Sequence, residues 1–93
     1  MRAADVIVTD TWVSMGQEAE HDRRVCDLED YRLDADLLGH ASHDVFVMHC
    51  LPAHPGEEIT AEVLYGERSA IWDEAENRLH VQKALLALLL GVA

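Results

Sequence analysis

Two short segments carry side chains whose types and order suit the binding of a charged metabolite. The first, Asp10–Gly16, places an acid ahead of a small, hydroxyl-bearing turn with the sequence DTWVSMG. The Asp10 carboxylate can pair with an ammonium group, and backbone N–H groups at the start of a following helix can bind a carboxylate or phosphate. Together these groups suit a zwitterion such as an amino acid. The alternative is that Asp10 or Ser14 only caps the next helix.

The second segment, His49–Pro52 in the string HCLPAH, centres on a cysteine. Nearby charge tunes the thiolate of such a cysteine, so Cys50 is either a reactive group or an inert, half-buried one. His49, Cys50 and His54 also lie close enough in sequence to suggest a metal site. Structural zinc needs four ligands, however, and no second Cys/His pair follows at a suitable spacing. We therefore predict no metal site, with only adventitious binding of a soft metal to Cys50.

A third candidate is Arg78, which lies among acids in the string DEAENR. A planar guanidinium can bind a phosphate or carbonyl oxygen bidentately and stabilise charge that develops in a transition state. The alternative is an ordinary surface salt bridge. The residues predicted to be solvated, or at most to pack, are His21, His40, His43, His80 and Gln82.

Secondary structure must hold these segments in place, and the apolar pattern predicts an α/β fold. Asp5–Thr9 and Asp44–Met48 are short, continuous apolar runs, typical of strands buried on both faces of a parallel sheet. Each run leads into one of the two loops, and a helix-like stretch follows each loop. Because ligands bind at the carboxyl ends of parallel strands, we expect both loops to lie at one edge of the sheet and to face one crevice.

Capping residues and periodicity predict the remaining elements. Helices are expected at Gln17–Leu28, at Leu33–Ala41, from the N-cap Thr60 to Gly66, and from the N-cap Asp73 to Gly91. A third short strand is expected at Ser69–Trp72. The last helix has an apolar stripe that is predicted to pack in the core, formed by Val81, Ala84, Leu85 and Leu88.

Size and composition limit the classes of function. A chain of 93 residues makes one small domain, and 49% hydrophobic with 27% charged residues is typical of a soluble globular protein. A net charge of −11 with only seven basic residues argues against nucleic-acid or anionic-membrane partners. The longest apolar run is about half of the roughly 20 residues needed to cross a bilayer, and no secretory pattern is present. With two cysteines and no disulfide framework, we expect a cytoplasmic protein.

Three segments resemble those of ornithine carbamoyltransferases, in family order and over nearly the whole chain. DTWVSMGQE resembles their D-x-W-x-S-M-G-Q-E segment, HCLPAH their H-C-L-P segment, and WDEAENR their D/P-E-A-E-N-R segment. The resemblance implies transfer of a carbamoyl group from carbamoyl phosphate to L-ornithine, giving L-citrulline and phosphate in arginine biosynthesis. It implies neither a cofactor nor a metal.

The resemblance also implies roles for individual residues. Asp10 is expected to bind the α-amino group of ornithine, with Ser14 and Met15 beside the amino acid. Trp12 is expected to pack around the loop. Cys50 is expected to approach the reacting amine as well as carbamoyl phosphate. The residues expected to contact carbamoyl phosphate are Cys50, Leu51 and Arg78.

The resemblance covers only the ornithine-binding portion of such an enzyme, a partial Rossmann-like parallel sheet with crossover helices. The Ser-Thr-Arg-Thr and His-Pro-Thr-Gln strings of the family's N-terminal carbamoyl-phosphate domain do not occur. We therefore expect a chain that is inactive alone and belongs to a homotrimeric family. Pro55 departs from the arginine common in relatives and puts the course of its loop in doubt. Two alternatives remain: a non-catalytic remnant, and a paralogous carbamoyltransferase acting on another amine.

Overall fold

Two short parallel strands form the sheet of the protein. The structure, a computed structural model, describes residues 2–14 and 16–92. Strand β1 (Val6–Thr9) pairs with strand β2 (Phe46–His49), and Thr9 lies opposite His49. The predicted α/β class with a parallel sheet is confirmed.

The connection between the strands carries two helices, as parallel pairing requires a long crossover. A 3₁₀ turn at Glu18–Glu20 leads into helix α1 (His21–Leu28), and helix α2 (Ala35–Leu38) follows. The carboxylate of Asp34 caps α2 by accepting a hydrogen bond of 2.8 Å from the Leu37 N–H. Both predicted helices exist, but α2 is much shorter than predicted.

Helix α3 (Ala61–Leu64) confirms the predicted N-cap, because the Thr60 hydroxyl accepts a hydrogen bond from the Val63 N–H at 3.4 Å. Helix α4 (Ile71–Leu89) starts two residues before the predicted cap Asp73. Ala70 occupies the N-cap position and makes no side-chain capping bond. The predicted strand at Ser69–Trp72 is wrong apart from one bridge between Ser69 and Val47, because the chain turns into α4 at once.

The core lies beside β2. Its buried members are Leu33, Val47, Ile59, Val63, Leu64 and Ile71. Strand β2 is central because Val47 also exchanges backbone hydrogen bonds with residues 68 and 70, at 2.8 and 2.9 Å. In β1, by contrast, Val6 and Val8 are 42% and 58% exposed. The prediction of burial on both faces is therefore wrong for β1 and also for β2, whose Phe46 is 43% exposed, since no described element covers this face of the sheet.

The predicted core stripe of α4 is also exposed. Val81, Leu85 and Leu88 are 64%, 52% and 68% exposed, Ala84 is exposed as well, and Ile71 is the one residue of α4 that is buried. A helix of 19 residues is about 28 Å long. A strand of four residues spans about 13 Å, so this sheet cannot cover the helix.

Among the described residues, no helix is both long and apolar enough to cross a bilayer.

Candidate functional site

The two predicted loops start side by side. Thr9 and His49 are register partners, and the Cys50 N–H donates to the Thr9 carbonyl at 3.4 Å. Asp10 and Cys50 are therefore the first residues beyond the paired strands, at the same end of the sheet. The expectation that both loops share one edge is confirmed.

The first loop presents an exposed carboxylate at the strand end. Asp10 is exposed, and its Oδ1 accepts a hydrogen bond of 2.7 Å from the next backbone N–H. Trp12 is buried, as expected of a packing residue, and the guanidinium of Arg32 lies 5.7 Å from the centre of its ring. This packing holds the loop while the acid stays available to a ligand.

The capping alternative for this loop is wrong in the part of the chain that the structure describes. Gln17 stands at the N-cap of the 3₁₀ turn without a side-chain capping bond, and its Oε1 instead accepts from the Ser14 N–H at 3.2 Å. Gly16 turns the chain with φ of +89°, a conformation that favours glycine. Ser14 is exposed. Met15, the other predicted ornithine contact, lies outside the described residues.

The second loop is fixed by a buried histidine. The His49 backbone N–H donates to Oε2 of Glu74 on α4 at 2.9 Å, and its Nδ1 accepts from the Leu51 N–H at 2.7 Å. Because Nδ1 is an acceptor, the ring hydrogen sits on Nε2 and points to Oε1 of Glu58, 2.8 Å away. These bonds hold Leu51 at φ of +56°, which is rare for leucine and typical of functional loops.

Cys50 is exposed, but its surroundings oppose the thiolate. Protein atoms displace part of the water around the sulfur, and the carboxylates of Asp10 and Glu74 lie nearby. Together, in that order of importance, they raise the pKa of the Cys50 thiol above its usual range. At neutral pH the side chain is therefore a neutral thiol, which argues against the reactive-thiolate interpretation.

Cys50 and Leu51 line two neighbouring clefts. The first cleft, of about 590 Å³, is shared with Asp10 and Ser14 of the first loop. The second, of about 420 Å³, is shared with Arg78 of α4. The structure thus brings the described candidates from all three sequence segments to two clefts that meet at Cys50–Leu51.

The first cleft is acidic. Its described lining includes the carboxylates of Asp10, Glu18 and Glu57, and no Lys or Arg. The neighbouring backbone N–H groups of Glu18 and Gly16 lower the pKa of the exposed Glu18 carboxyl. The expectation that N–H groups at this helix start bind a ligand anion stays a prediction, whereas the acidic lining of the cleft favours a cationic group.

Arg78 supplies the positive charge of the second cleft. It is exposed on α4 and makes no ion pair within residues 2–14 and 16–92, so the salt-bridge alternative is wrong there. A guanidinium without an internal partner can bind a phosphate or carbonyl oxygen. Glu74 lines the same cleft and is engaged with the His49 backbone.

Several side chains near the first cleft make contacts that the sequence does not predict. His21, predicted to be solvated, hydrogen-bonds Glu57 and, more weakly, Asp22, and both bonds raise its pKa. His54 bridges to Thr11 of the first loop, with Nδ1 3.0 Å from Oγ1. The separation of these residues, up to 43 positions, left no local signal in the sequence. Their neighbour Glu58 is fully buried. Glutamate side chains are almost never fully buried unless they have partners.

Comparison with known proteins assigns the family. Residues 1–89 match the family model described as "Aspartate/ornithine carbamoyltransferase, Asp/Orn binding domain". The chain belongs to this family.

Similar carbamoyltransferases include the ornithine carbamoyltransferase of Staphylothermus marinus, 58% identical over 90 residues. That match covers 97% of this chain and 29% of the relative. Among solved structures, the ornithine carbamoyltransferase from Pyrococcus furiosus matches with a TM-score of 0.88 and 52% identity, over 99% of this chain and 29% of the other. The anabolic enzyme from Campylobacter jejuni matches with a TM-score of 0.86 and 41% identity, over 99% and 30%. The chain thus spans about 29% of the curated relative's length.

The departure at Pro55 leaves the loop well defined. The Gly56 N–H donates to the Ile59 carbonyl at 2.8 Å, and the Glu57 N–H to the His54 carbonyl at 2.9 Å. These bonds form a tight turn directly after the predicted ligand loop. The turn brings a carboxylate oxygen of Glu57 and one of Glu58 to 4.0 and 3.9 Å from His54 Nδ1.

Proposed function

We propose that this chain is the ornithine-binding part of an ornithine carbamoyltransferase. The proposed reaction passes the carbamoyl group of carbamoyl phosphate to the δ-amine of L-ornithine, giving L-citrulline and phosphate. One observation carries the proposal: Cys50 and Leu51 line both the acidic cleft and the cleft that contains Arg78. A cationic amine and an anionic carbamoyl donor can therefore meet at these two residues.

The acidic cleft suits the amino acid. Ornithine carries an α-ammonium group, and the exposed carboxylate of Asp10 can pair with it. Ser14 offers a hydroxyl in the same cleft, and Met15 follows it in sequence. A cleft without Lys or Arg among its described lining selects against phosphate on this side.

The second cleft suits carbamoyl phosphate. The Arg78 guanidinium can bind a phosphate or carbonyl oxygen bidentately, and Leu51 and Cys50 close the other side. Binding the donor here directs its carbonyl carbon towards the amine in the first cleft. Orienting two substrates in this way supplies a large part of the rate enhancement in reactions of this kind.

The proposed step is an acyl-type transfer. The neutral δ-amine of ornithine attacks the carbonyl carbon, a C–N bond forms, the C–O bond to phosphate breaks, and phosphate leaves with the electron pair. The nitrogen then loses a proton. Arg78 stabilises charge on the reacting donor, and Cys50 positions the amine as a neutral thiol, since its raised pKa makes it a poor source of thiolate.

We further propose that the reaction needs segments beyond those of this chain, because it spans about 29% of the curated relative's length. Residues 1–93 then form part of an ornithine-binding domain, and a separate carbamoyl-phosphate domain completes the site. The homotrimer implied by the resemblance is the proposed assembly.

A chimera tests the function. The matching segment of the Staphylothermus marinus relative is replaced by this chain, and citrulline and phosphate are measured with ornithine and carbamoyl phosphate. We expect both products in equal amounts. A folded chimera that makes no citrulline contradicts the proposal, and activity on another amine but not on ornithine assigns the chain to a paralogous enzyme.

Matched variants of the chimera test the residues. Asp10→Asn, Cys50→Ser and Arg78→Ala are each expected to lower kcat/KM by about 100-fold or more. The controls Asp44→Asn, Cys26→Ser and Arg23→Ala change exposed residues of the same types and are expected to stay within about twofold. Equal losses in test and control variants contradict the assignment of these roles.

A further inference from the structure

One buried carboxylate oxygen has no partner in the described structure. Glu58 is fully buried, and its Oε1 accepts hydrogen bonds from His49 Nε2 at 2.8 Å and from the His54 N–H at 2.7 Å. Its Oε2 is buried and accepts none. Because burying an unpartnered carboxylate oxygen is costly, such an atom calls for a cation or donor that the fold is built to receive.

An imidazole nitrogen of His54 and a carboxylate oxygen of Glu57, both possible metal ligands, lie near this oxygen. His54 Nδ1 lies 3.9 Å from Glu58 Oε2 and 4.0 Å from Glu57 Oε2. One ligand atom from each of the three residues falls within 4.8 Å of the others. The side chains of His54 and Glu57 are 43% and 20% exposed, so the cluster opens to solvent on one side.

We propose that His54, Glu57 and Glu58 bind a divalent transition-metal ion, with Zn²⁺ as the reference ion. One imidazole nitrogen and two carboxylate oxygens form a ligand set that zinc accepts, with water in the open position. Metal–ligand bonds of about 2.0–2.2 Å place ligand atoms about 3.3 Å apart, so the cluster has to close by about 1.5 Å at most. The partly exposed side chains of His54 and Glu57 can make this movement while Glu58 stays fixed, at the expense of the contacts of His54 with Thr11 and of Glu57 with His21.

The direct alternatives to an ion do not satisfy this oxygen. A separation of 3.9 Å between His54 Nδ1 and Glu58 Oε2 is too long for a hydrogen bond. His54 Nδ1 is directed to Thr11 Oγ1, 3.0 Å away, and the Thr11 hydroxyl donates its hydrogen to the Val13 carbonyl at 3.2 Å. The ion takes the place of the Nδ1 hydrogen, and Glu58 Oε2 gains its missing partner.

The site differs from the trio of His49, Cys50 and His54 considered from sequence. Both ring nitrogens of His49 are already engaged, Nδ1 by the Leu51 N–H and Nε2 by Glu58, so His49 cannot be a ligand. Cys50 is not part of the cluster. Binding at His54 breaks its hydrogen bond to Thr11, so occupancy of the metal site alters the contact between the two ligand loops.

The test is calorimetric titration of the untagged chain with ZnCl₂ alone. We expect one ion per chain, with the dissociation constant raised at least about tenfold by His54→Gln and by Glu57→Gln. His40→Gln and Glu62→Gln change exposed residues of the same types and are expected to leave it within about twofold. If His54→Gln proves unfolded by circular dichroism, the Glu57→Gln result decides.

A second measurement separates this site from thiol binding. The cobalt(II) form is expected to show no thiolate-to-metal charge-transfer band, and Cys50→Ser is expected to leave zinc affinity within about twofold. The proposal is overturned if a folded His54→Gln variant, or Glu57→Gln where His54→Gln is unfolded, binds zinc with the same dissociation constant as the unmodified chain. So does binding that disappears in Cys50→Ser, or no binding at millimolar zinc.

Discussion

Replacing Glu58 with leucine removes the acceptor of one buried and one part-buried donor. In the folded chain, His49 Nε2–H and the His54 N–H both donate to Glu58 Oε1, at 2.8 and 2.7 Å. Leucine keeps the volume but accepts neither bond. His49 is 1% exposed, so water cannot replace the acceptor at its ring. The Glu58→Leu protein is therefore expected to be less stable.

The size of the effect follows from these contacts. Leaving a buried donor without an acceptor costs about 1–3 kcal/mol, and the part-buried His54 N–H costs at most as much, so the two together cost up to about 6 kcal/mol. Removing the unpartnered Oε2 offsets part of this loss. We therefore expect the free energy of unfolding to fall by about 3 kcal/mol in total. A chain of 93 residues is stabilised by roughly 5–14 kcal/mol. The substitution therefore removes a large share of the total.

Urea unfolding followed by circular dichroism at neutral pH measures this loss. With a denaturant slope of about 1.5 kcal/mol per molar urea, the midpoint is expected to fall by about 2 M. Glu62→Leu, at an exposed position, is the control and is expected to change stability by at most about 0.5 kcal/mol.

A double variant separates the buried pair from general disruption. His49→Leu with Glu58→Leu removes both partners, so it is expected to be less damaging than the sum of the single variants by about 1–3 kcal/mol. Strict additivity, or a Glu58→Leu midpoint within about 0.3 M of the unmodified chain, refutes the reasoning.

Two further predictions concern the thiol and the core. Because the pKa of Cys50 is raised, alkylation of Cys50 in the Cys26→Ser protein is expected to be slow at neutral pH and to accelerate only above the usual thiol range. Asp10→Asn removes a nearby negative charge and should therefore lower this pKa and speed the reaction at neutral pH. If Asp10→Asn leaves the pH–rate profile unchanged, the charge effect is contradicted. Ile71→Ala is expected to lower the free energy of unfolding by about 2–5 kcal/mol, and Leu88→Ala by at most about 0.5, as measured by urea unfolding; similar losses contradict the observed burial.

Local chemistry made part of the fold predictable. Thr60 caps α3 as predicted, whereas Asp34 caps α2 without having been predicted, and the predicted cap Asp73 lies inside α4. The placement of Asp10 and Cys50 at one sheet edge followed from a general property of parallel sheets. These predictions needed only nearest neighbours in sequence or one topological rule.

The sequence did not allow the packing of helices or the contacts between distant residues to be predicted. The stripe that includes Leu85 has the period of a buried helix face, but burial depends on whether another element covers it. The bond between His54 and Thr11 joins residues 43 positions apart, and the burial of Glu58 depends on His49. The motifs thus located the clefts, but not the buried polar network that supports them.

The uncovered face of α4 also affects the heat capacity change of unfolding. Its accessible surface is 6782 Å², whereas a folded monomer of this length is expected to expose about 5,400 Å². Unfolding therefore exposes less new apolar area than is usual, so the heat capacity change of unfolding should be small and the stability curve flat. Sulfate, which strengthens apolar association, should drive the chains together at concentrations that leave better-covered domains in solution.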